Sequence, residues 1–243
     1  MPIPRFYCPM PLIPGRQVAL PELAARHAVG VLRLRDGHDV ILFNGDGSEC
    51  VGQLFRTVKG AAVNLKANCA PVRESPLRII LAQGISSGER MDFTLQKAVE
   101  LGAAAIEPLM MRRTIVRLDD AKKIRRLQHW QGVIVSACEQ CGRNHLPGIA
   151  PIIEFPDWLR GESAREGVRL LLDPDASTRL RDLPAPDGTV LLLAGPEGGF
   201  DPAERDAARR LGFKPISLGP RVLRTETAAM TAMAAMQCLW GDL

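Results

Sequence analysis

191-LLLAGPEGGFDPAE-204 is a run of buried-type residues that stops at Gly195, where a proline and two more glycines close around one glutamate. Asp201-Pro202-Ala203-Glu204 then reads as a helix start, with an N-cap acid, proline at N1 and glutamate at N3. The glycine loop therefore lies between the C-terminal end of a strand and a helix N-terminus, where open α/β sheets bind ligands. Glycines there permit unusual dihedrals and close approach of backbone to a ligand. The spacing is not GxGxxG, and no Lys-Ser/Thr follows, so neither a dinucleotide fingerprint nor a phosphate-binding P-loop is supported. A second Gly-Pro follows the next apolar strand, in 218-LGPRVLRTETAAMTAMAAMQCLW-240. Each loop alone could be a tight turn. Two such loops after successive strands are expected side by side at one sheet edge, holding a compact ligand through backbone groups.

Outward from these loops, the chain from Leu77 alternates strands and helices. Continuous apolar runs predict strands over 77–82, 104–110, 168–173, 189–195 and 214–219, as parallel strands covered on both faces require. Ser87 is placed to cap a helix over 89–101 with Gly102 as its stop, and Asp119 or Asp120 to cap one over 121–141. In the second helix Ile124, Leu127, Ile134, Ala137 and Cys141 fall on one side. The reading is an α/β domain with a mainly parallel sheet. Residues 1–72 differ: strands 39–44 and 50–58 flank the hairpin signal 44-NGDG-47, and a third run covers 61–67. Before them, 21–37 has helix-spaced Leu23, Ala24, His27, Ala28 and Val31. One helix with several short strands predicts a compact RNA-binding type of barrel, with 71-PVRES-75 as the linker to the second domain, 73–243.

The chain has 243 residues and is 46% hydrophobic and 24% charged, the composition of a folded protein of one or two domains. No apolar run reaches membrane-span length, and the five-proline N-terminus lacks a charged region before its apolar part, so neither membrane nor secretion is expected and cytosol is the default. Residues 1–150 hold 20 basic against 13 acidic side chains, whereas 151–243 hold 11 against 14. Arginine supplies 25 of the 31 basic residues; this fits a nucleic-acid partner, and equally a genome rich in arginine codons. Of six scattered cysteines only Cys138 and Cys141 are at CxxC spacing. A zinc site needs four ligands, so no metal is expected, and two helical cysteines one turn apart is the simpler reading against a redox pair.

LAGPEGGF followed by LGPRVLRTETA resembles the signature of the SPOUT-class RNA methyltransferases, and within them the family of small-subunit ribosomal RNA methyltransferase E. The resemblance spans the chain, through 4-PRFYCP-9, 27-HAVGVLRLRDGH-38, 74-ESPL-77, 88-GERMDFTLQKAVELG-102, 113-RTIV-116 and 138-CEQCGRNHLPGI-149. It implies a PUA-like RNA-binding β-barrel over 1–72 and a trefoil-knotted catalytic domain over 73–243. The implied activity is methylation of N3 of a uridine in small-subunit ribosomal RNA by S-adenosylmethionine, in a homodimer, on RNA within an assembled or assembling subunit. The cofactor is expected against Leu193, Ala194, Gly195, Pro196, Glu197, Gly198, Gly199, Leu218, Gly219, Leu223, Arg224 and Thr225. Arg112 departs from the family pattern, which usually has an acidic or polar residue before Arg113.

Methylating N3 of uridine means handling an imide proton that is mostly retained at neutral pH. An arginine beside the O2 or O4 position would stabilise the anion. Arg224 is the first candidate, Arg221 the second, with pairing to Glu197 or Glu226 as the alternative. Glu197 and Glu226 could each face a sulfonium, shuttle a proton with a pKa raised by burial, or simply pair with arginine. Arg5, His27, Arg33, Arg113, Gln140 and Arg143 are the matched polar candidates for RNA, though His27 on an apolar helix face reads equally as a core histidine. The cluster 122-KKIRR-126 is read as a solvated face or an RNA contact, and the Ala/Met-rich last helix as a dimer seam or core.

Overall fold

A computed structural model describes residues 3–162 and 165–243, so the first two residues of the proline-rich N-terminal stretch lie outside the described residues. It divides into two compact units. Unit 1 holds residues 1–74 and also 135–146, a segment that the sequence reading gives to the second domain. Unit 2 holds residues 75–134 and 147–243. Among the described residues no helix is long and apolar enough to cross a membrane.

In unit 1, strands β1 (Arg5–Tyr7), β2 (Gln17–Ala19), β3 (Asp39–Phe43), β4 (Glu49–Thr57) and β5 (Gly60–Cys69) form one sheet in the order β1-β3-β4-β5-β2. Residues of both edge strands, Phe6 and Val18, join Val40, Leu42, Leu54 and Val63 in a single core, so the sheet curls around it. In the β3–β4 turn Asn44 Oδ1 accepts from Asp46 N at 3.2 Å, and Asp46 Oδ1 from Ser48 N at 2.8 Å. β1 and β2, three residues each, are too short to show a period and are absent from the sequence reading. The helix expected within 21–37 is present over Glu22–Val31, though not as one regular α-helix. It is a five-residue α1 (Glu22–Arg26) that widens into a π turn (His27–Val31), closed by Leu32 N donating to His27 O at 2.9 Å. Ala25 and Ala28 are its buried residues, while Leu23 and Val31 are 77% and 68% exposed.

Unit 2 is built on β6 (Ile79–Gly84), β7 (Ala103–Met110), β8 (Gly148–Ile149), β9 (Ile153–Glu154), β10 (Val168–Leu172), β11 (Val190–Ala194) and β12 (Lys214–Ile216). The order is β12-β10-β11-β6-β7-β8, with β9 also on β7, and every pairing is parallel. β6 and β11 are buried along their whole length, which is why they read as unbroken apolar runs. The helices are α2 (Gly88–Glu100), α3 (Asp120–Cys141), α4 (Phe155–Glu162), α5 (Pro202–Arg210) and α6 (Thr225–Trp240). α3 is capped by Asp119, whose Oδ1 accepts from Lys122 N at 2.8 Å, but its buried face is Trp130, Ile134, Ala137 and Cys138, and Ile124 is 59% exposed. The expectation that the two Gly-Pro loops sit side by side is corrected as well. β11 and β12 are separated in the sheet by β10, so the end of β10 lies between the loops.

Candidate cofactor site

The loop after β11 is held by the strand beside it. Gly84, at the end of β6, lies so close to the loop that a Cβ there would stand 2.5 Å from Pro196 N and 2.6 Å from Pro196 Cδ. Gly195 O accepts from the Thr225 hydroxyl and, at 3.2 Å, from Gln83 Nε2, which also reaches Thr225 Oγ1 at 3.0 Å. The first residue of α6 is thereby tied to the β11 loop through the fully buried Gln83. Beyond the loop, Asp201 and Glu204 complete the predicted capping box of α5.

Glu197 is held by the start of α2. Its Oε1 accepts from Ser87 N at 2.7 Å and Ser87 Oγ at 2.8 Å, and Arg90 Nη1 stands 3.5 Å away. Desolvation opposes its charge, but the Ser87 hydrogen bonds and Arg90 outweigh it and hold the carboxyl below its ordinary value. The raised pKa expected of a buried base is therefore corrected for this residue. Ser87 is the N-cap of α2; its side chain makes no cap bond, and its hydroxyl donates to Glu197 Oε1.

Around these loops lies a cavity of about 370 Å³, all of it within unit 2. Of the expected cofactor residues, Ala194, Gly195, Pro196, Glu197, Gly199, Leu218, Gly219, Leu223, Arg224 and Thr225 line it, together with Arg221 and Glu226; Leu193 and Gly198 are not on its wall. Gly199 and Gly219 have φ of +67° and +132°, and a Cβ on either would project into open space. Arg221 and Arg224 are exposed, and neither side chain pairs with Glu197 or Glu226. Glu226 Oε2 is buried without a hydrogen-bond partner.

The sequence reading missed the residues between the loops. Leu172, Asp173 and Pro174 close the cavity at the end of β10. Asp173, 1% exposed, takes Arg205 Nη1 at 3.4 Å and Arg209 Nη2 at 3.5 Å. An aspartate directly after an apolar strand was the available signal. Arg90 and Arg205 also line the cavity.

The six RNA candidates divide. Arg113 lines the unit 2 cavity, with Nη1 donating to Gly198 O at 3.2 Å. In unit 1, Arg5 is paired with Glu49, reaches Asn144 Oδ1 and lies 5.0 Å from the Phe43 ring centroid. Arg143, 6% exposed, forks onto Glu74 with Nε 3.1 Å from both carboxylate oxygens. Both therefore serve as ties within unit 1, Arg5 to the buried Glu49 and Arg143 to the half-buried Glu74. His27, Arg33 and Gln140 are exposed; the His27 ring meets Phe6 edge-on, and Arg33 has the positive φ of 53°. Cys138 of the CxxC pair is buried in the core, its thiol pushed up to about 12 by desolvation, which keeps it protonated and unreactive.

This parallel α/β sheet with loops at its strand ends, joined in sequence to a small β unit, is matched by RNA methyltransferase family models over both parts. Residues 73–237 match the family described as an RNA methyltransferase domain, and 21–62 the RNA methyltransferase PUA domain. The chain belongs to the ribosomal RNA small subunit methyltransferase E family. It is 34% identical to that enzyme of Buchnera aphidicola subsp. Schizaphis graminum over 99% of this chain and 98% of the relative. With the Bacillus subtilis enzyme the identity is 30%, over 86% and 85% of the two chains. A Legionella pneumophila methyltransferase solved with S-adenosylmethionine bound superposes with TM-score 0.96, at 41% identity and 100% coverage of both chains. Ribosomal RNA small subunit methyltransferase E of Neisseria gonorrhoeae, also solved with S-adenosylmethionine, gives TM-score 0.90 at 42% identity and 99% coverage of both.

Proposed function

We propose that this protein transfers the methyl group of S-adenosylmethionine to N3 of a uridine in small-subunit ribosomal RNA. The observation that carries the reading is the cavity whose walls are two Gly-Pro loops, with the backbone of Gly199 and Gly219 open to it. Its volume, about 370 Å³, is that of a small-molecule site. The relatives are named for small-subunit ribosomal RNA, and two similar structures hold S-adenosylmethionine. The residues present fit that donor: Gly195, Gly199, Leu218, Gly219 and Leu223 offer backbone without bulky walls, and Glu226 Oε2 offers an unspent anionic oxygen. When bound, the donor supplies an electrophilic methyl carbon on a sulfonium.

The chain's own residues must then deal with the imide proton. Arg224, free of any protein ion pair among the described residues, holds the negative charge that develops on a uracil oxygen, with Arg221 as its neighbour. Each pKa unit by which they lower N3 corresponds to about 1.4 kcal/mol. The N3 proton passes to Glu226, and the N3 lone pair is left as the nucleophile. Glu197 holds the loop to α2 through Oε1, which leaves its Oε2 without a partner, as in Glu226. We also place the enzyme in the cytoplasm as a homodimer acting on an assembled or assembling subunit. The seam is drawn along the face of α6 that leaves Leu239 49% exposed, while its other face, with Ala229, Met233 and Met236, is core.

Two measurements test the proposal. Calorimetry with S-adenosylmethionine should show binding and protection against unfolding; a protein without either is an RNA-binding factor, not a methyltransferase. Mass mapping of ribosomal RNA from cells lacking the protein should reveal one unmethylated uridine that regains an N3-methyl when purified protein is added. Restoration at a ribose oxygen or at another base would overturn the N3 assignment.

A further inference from the structure

Five arginines line the cavity, Arg90, Arg113, Arg205, Arg221 and Arg224, against three acids, Asp173, Glu197 and Glu226. Arg205 is matched by the buried Asp173 at 3.4 Å. The remaining four arginines face two glutamates, a surplus of positive charge around a donor whose own sulfonium is positive. A methionine carboxylate can occupy one guanidinium. The rest of the surplus suits a polyanion.

Two of the four are fixed in place by the donor loop. Arg113 donates from Nη1 to Gly198 O at 3.2 Å, and its backbone packs so tightly there that a Cβ on Gly198 would lie 2.8 Å from Arg113 Cβ. Arg90 comes from α2 and sets Nη1 3.5 Å from Glu197 Oε1, with its side chain 43% exposed. Each contact engages one terminal nitrogen of a guanidinium that carries five N–H donors. The other donors of both residues have no protein partner among the described residues. Each arginine is therefore held at its base by the loop and left with unspent donors at a solvent-exposed face of the cavity.

We propose that Arg90 and Arg113 are a phosphate clamp that grips the RNA backbone on either side of the nucleotide entering the cavity. This rests on the reading of the cavity as a methyl-donor site on an RNA methyltransferase. It separates the duties of the four arginines: Arg90 and Arg113 position the strand, while Arg221 and Arg224 face the base. Because the clamp arginines hang on Glu197 and Gly198, the strand is registered against the loop that holds the donor.

The test uses small ribosomal subunits from cells lacking the protein, with binding measured across a salt series for the wild type, Arg90→Ala, Arg113→Ala and the double variant. The slope of log affinity against log salt should flatten by about 0.7–0.9 for each arginine removed. KM for the subunit should rise roughly tenfold per single variant, with kcat changed no more than about threefold. Arg90→Lys keeps the charge and should restore the slope. Calorimetry with S-adenosylmethionine should give affinities within about threefold of wild type for Arg90→Lys, which keeps the charge facing Glu197. An unchanged salt slope would overturn the clamp. So would an intact slope with lost donor affinity, which would assign these guanidinium groups to the donor's carboxylate. If the wild type itself fails to bind S-adenosylmethionine, the reading of the cavity falls, and the salt slope still judges the two arginines as RNA contacts.

Discussion

Adding one methyl group at Gly84 tests the architecture of the donor loop directly. In Gly84→Ala the new Cβ would sit 2.5 Å from Pro196 N, 2.6 Å from Pro196 Cδ and 2.9 Å from Gly195 C. Ordinary contact begins near 3.4 Å, so the loop must retreat by about 0.9 Å. None of the three atoms belongs to a flexible side-chain end. Proline is locked in φ, and Gly195 O is pinned by Gln83 and Thr225. The retreat therefore strains or breaks hydrogen bonds worth about 1 kcal/mol each, on top of an overpacking cost of about 1–3 kcal/mol. For a unit of this size, a loss of about 2 kcal/mol lowers Tm by roughly 4–8 °C. Since the displaced atoms form the cavity wall, S-adenosylmethionine affinity should fall at least about tenfold. Scanning calorimetry and titration calorimetry read the two effects. Gly132→Ala is the control: it lies on the exposed side of α3 with nothing within 4 Å of its Cβ, so it should be neutral or stabilising by up to about 1 kcal/mol. If Gly84→Ala matches that control in both Tm and donor affinity, the loop is not held by the passage over β6 and the account of the cavity wall is wrong.

Other perturbations separate the roles of the charged groups. Arg224→Ala should keep S-adenosylmethionine affinity within roughly tenfold, about 1.4 kcal/mol, yet lose most single-turnover methylation; full turnover would remove Arg224 from the chemistry. Glu197→Gln keeps an acceptor for Ser87 but not the charge, and should weaken donor binding about threefold to tenfold as the loop loosens. Because the folded Glu197 pKa is depressed, its anchoring is complete above the ordinary carboxylate range and is lost as pH falls through the folded value, so the pH dependence of donor affinity in acid should flatten in the variant. In unit 1, burial opposes the charge of Glu49, but Arg5 and Arg73 overcome it and hold the carboxyl at about 2 against an ordinary 4.5. That difference contributes roughly 3 kcal/mol, present above pH 4.5 and lost as pH falls towards 2. Hydrogen exchange of β3–β5 amides should show protection declining across that window in the wild type but not in Glu49→Gln; equal decline in both would place the acid sensitivity elsewhere.

Much of unit 2 was legible because parallel strands buried on both faces leave continuous apolar runs, and the loop signals stand at their ends. The predicted strand over 189–195 is β11, and the acid, proline and glutamate at 201–204 form the capping box they spell. The order of the strands was not legible, since periodicity describes each strand against its own two faces and never its neighbour. That is how β10 came to lie between the loops, and how Asp173 and Pro174 joined the cavity wall without being foreseen. The helix within 21–37 was legible over Glu22–Val31, but part of its buried face was not. A helical wheel assumes one residue spacing, and the π turn at His27–Val31 changes it midway.

The arginines show where sequence reasoning reaches its limit. Composition counts a guanidinium as a free charge, but its role depends on whether an acid waits for it, and that acid can be far away in the chain. Arg5 meets Glu49 44 positions on, and Arg143 meets Glu74 69 positions back, so two candidates for RNA are also struts within unit 1. Arg90 shows the converse. On sequence it was one more charge in the first turn of a helix, and only the fold sets it against Glu197 at the cavity. The local clue to that contact was a frustrated one: Ser87 occupies the N-cap position of α2 but gives its hydroxyl to Glu197 instead of to the helix. Its partner belongs to the loop that walls the proposed donor site, and the same Glu197 oxygen faces Arg90, so one carboxylate joins the start of α2 to that loop twice.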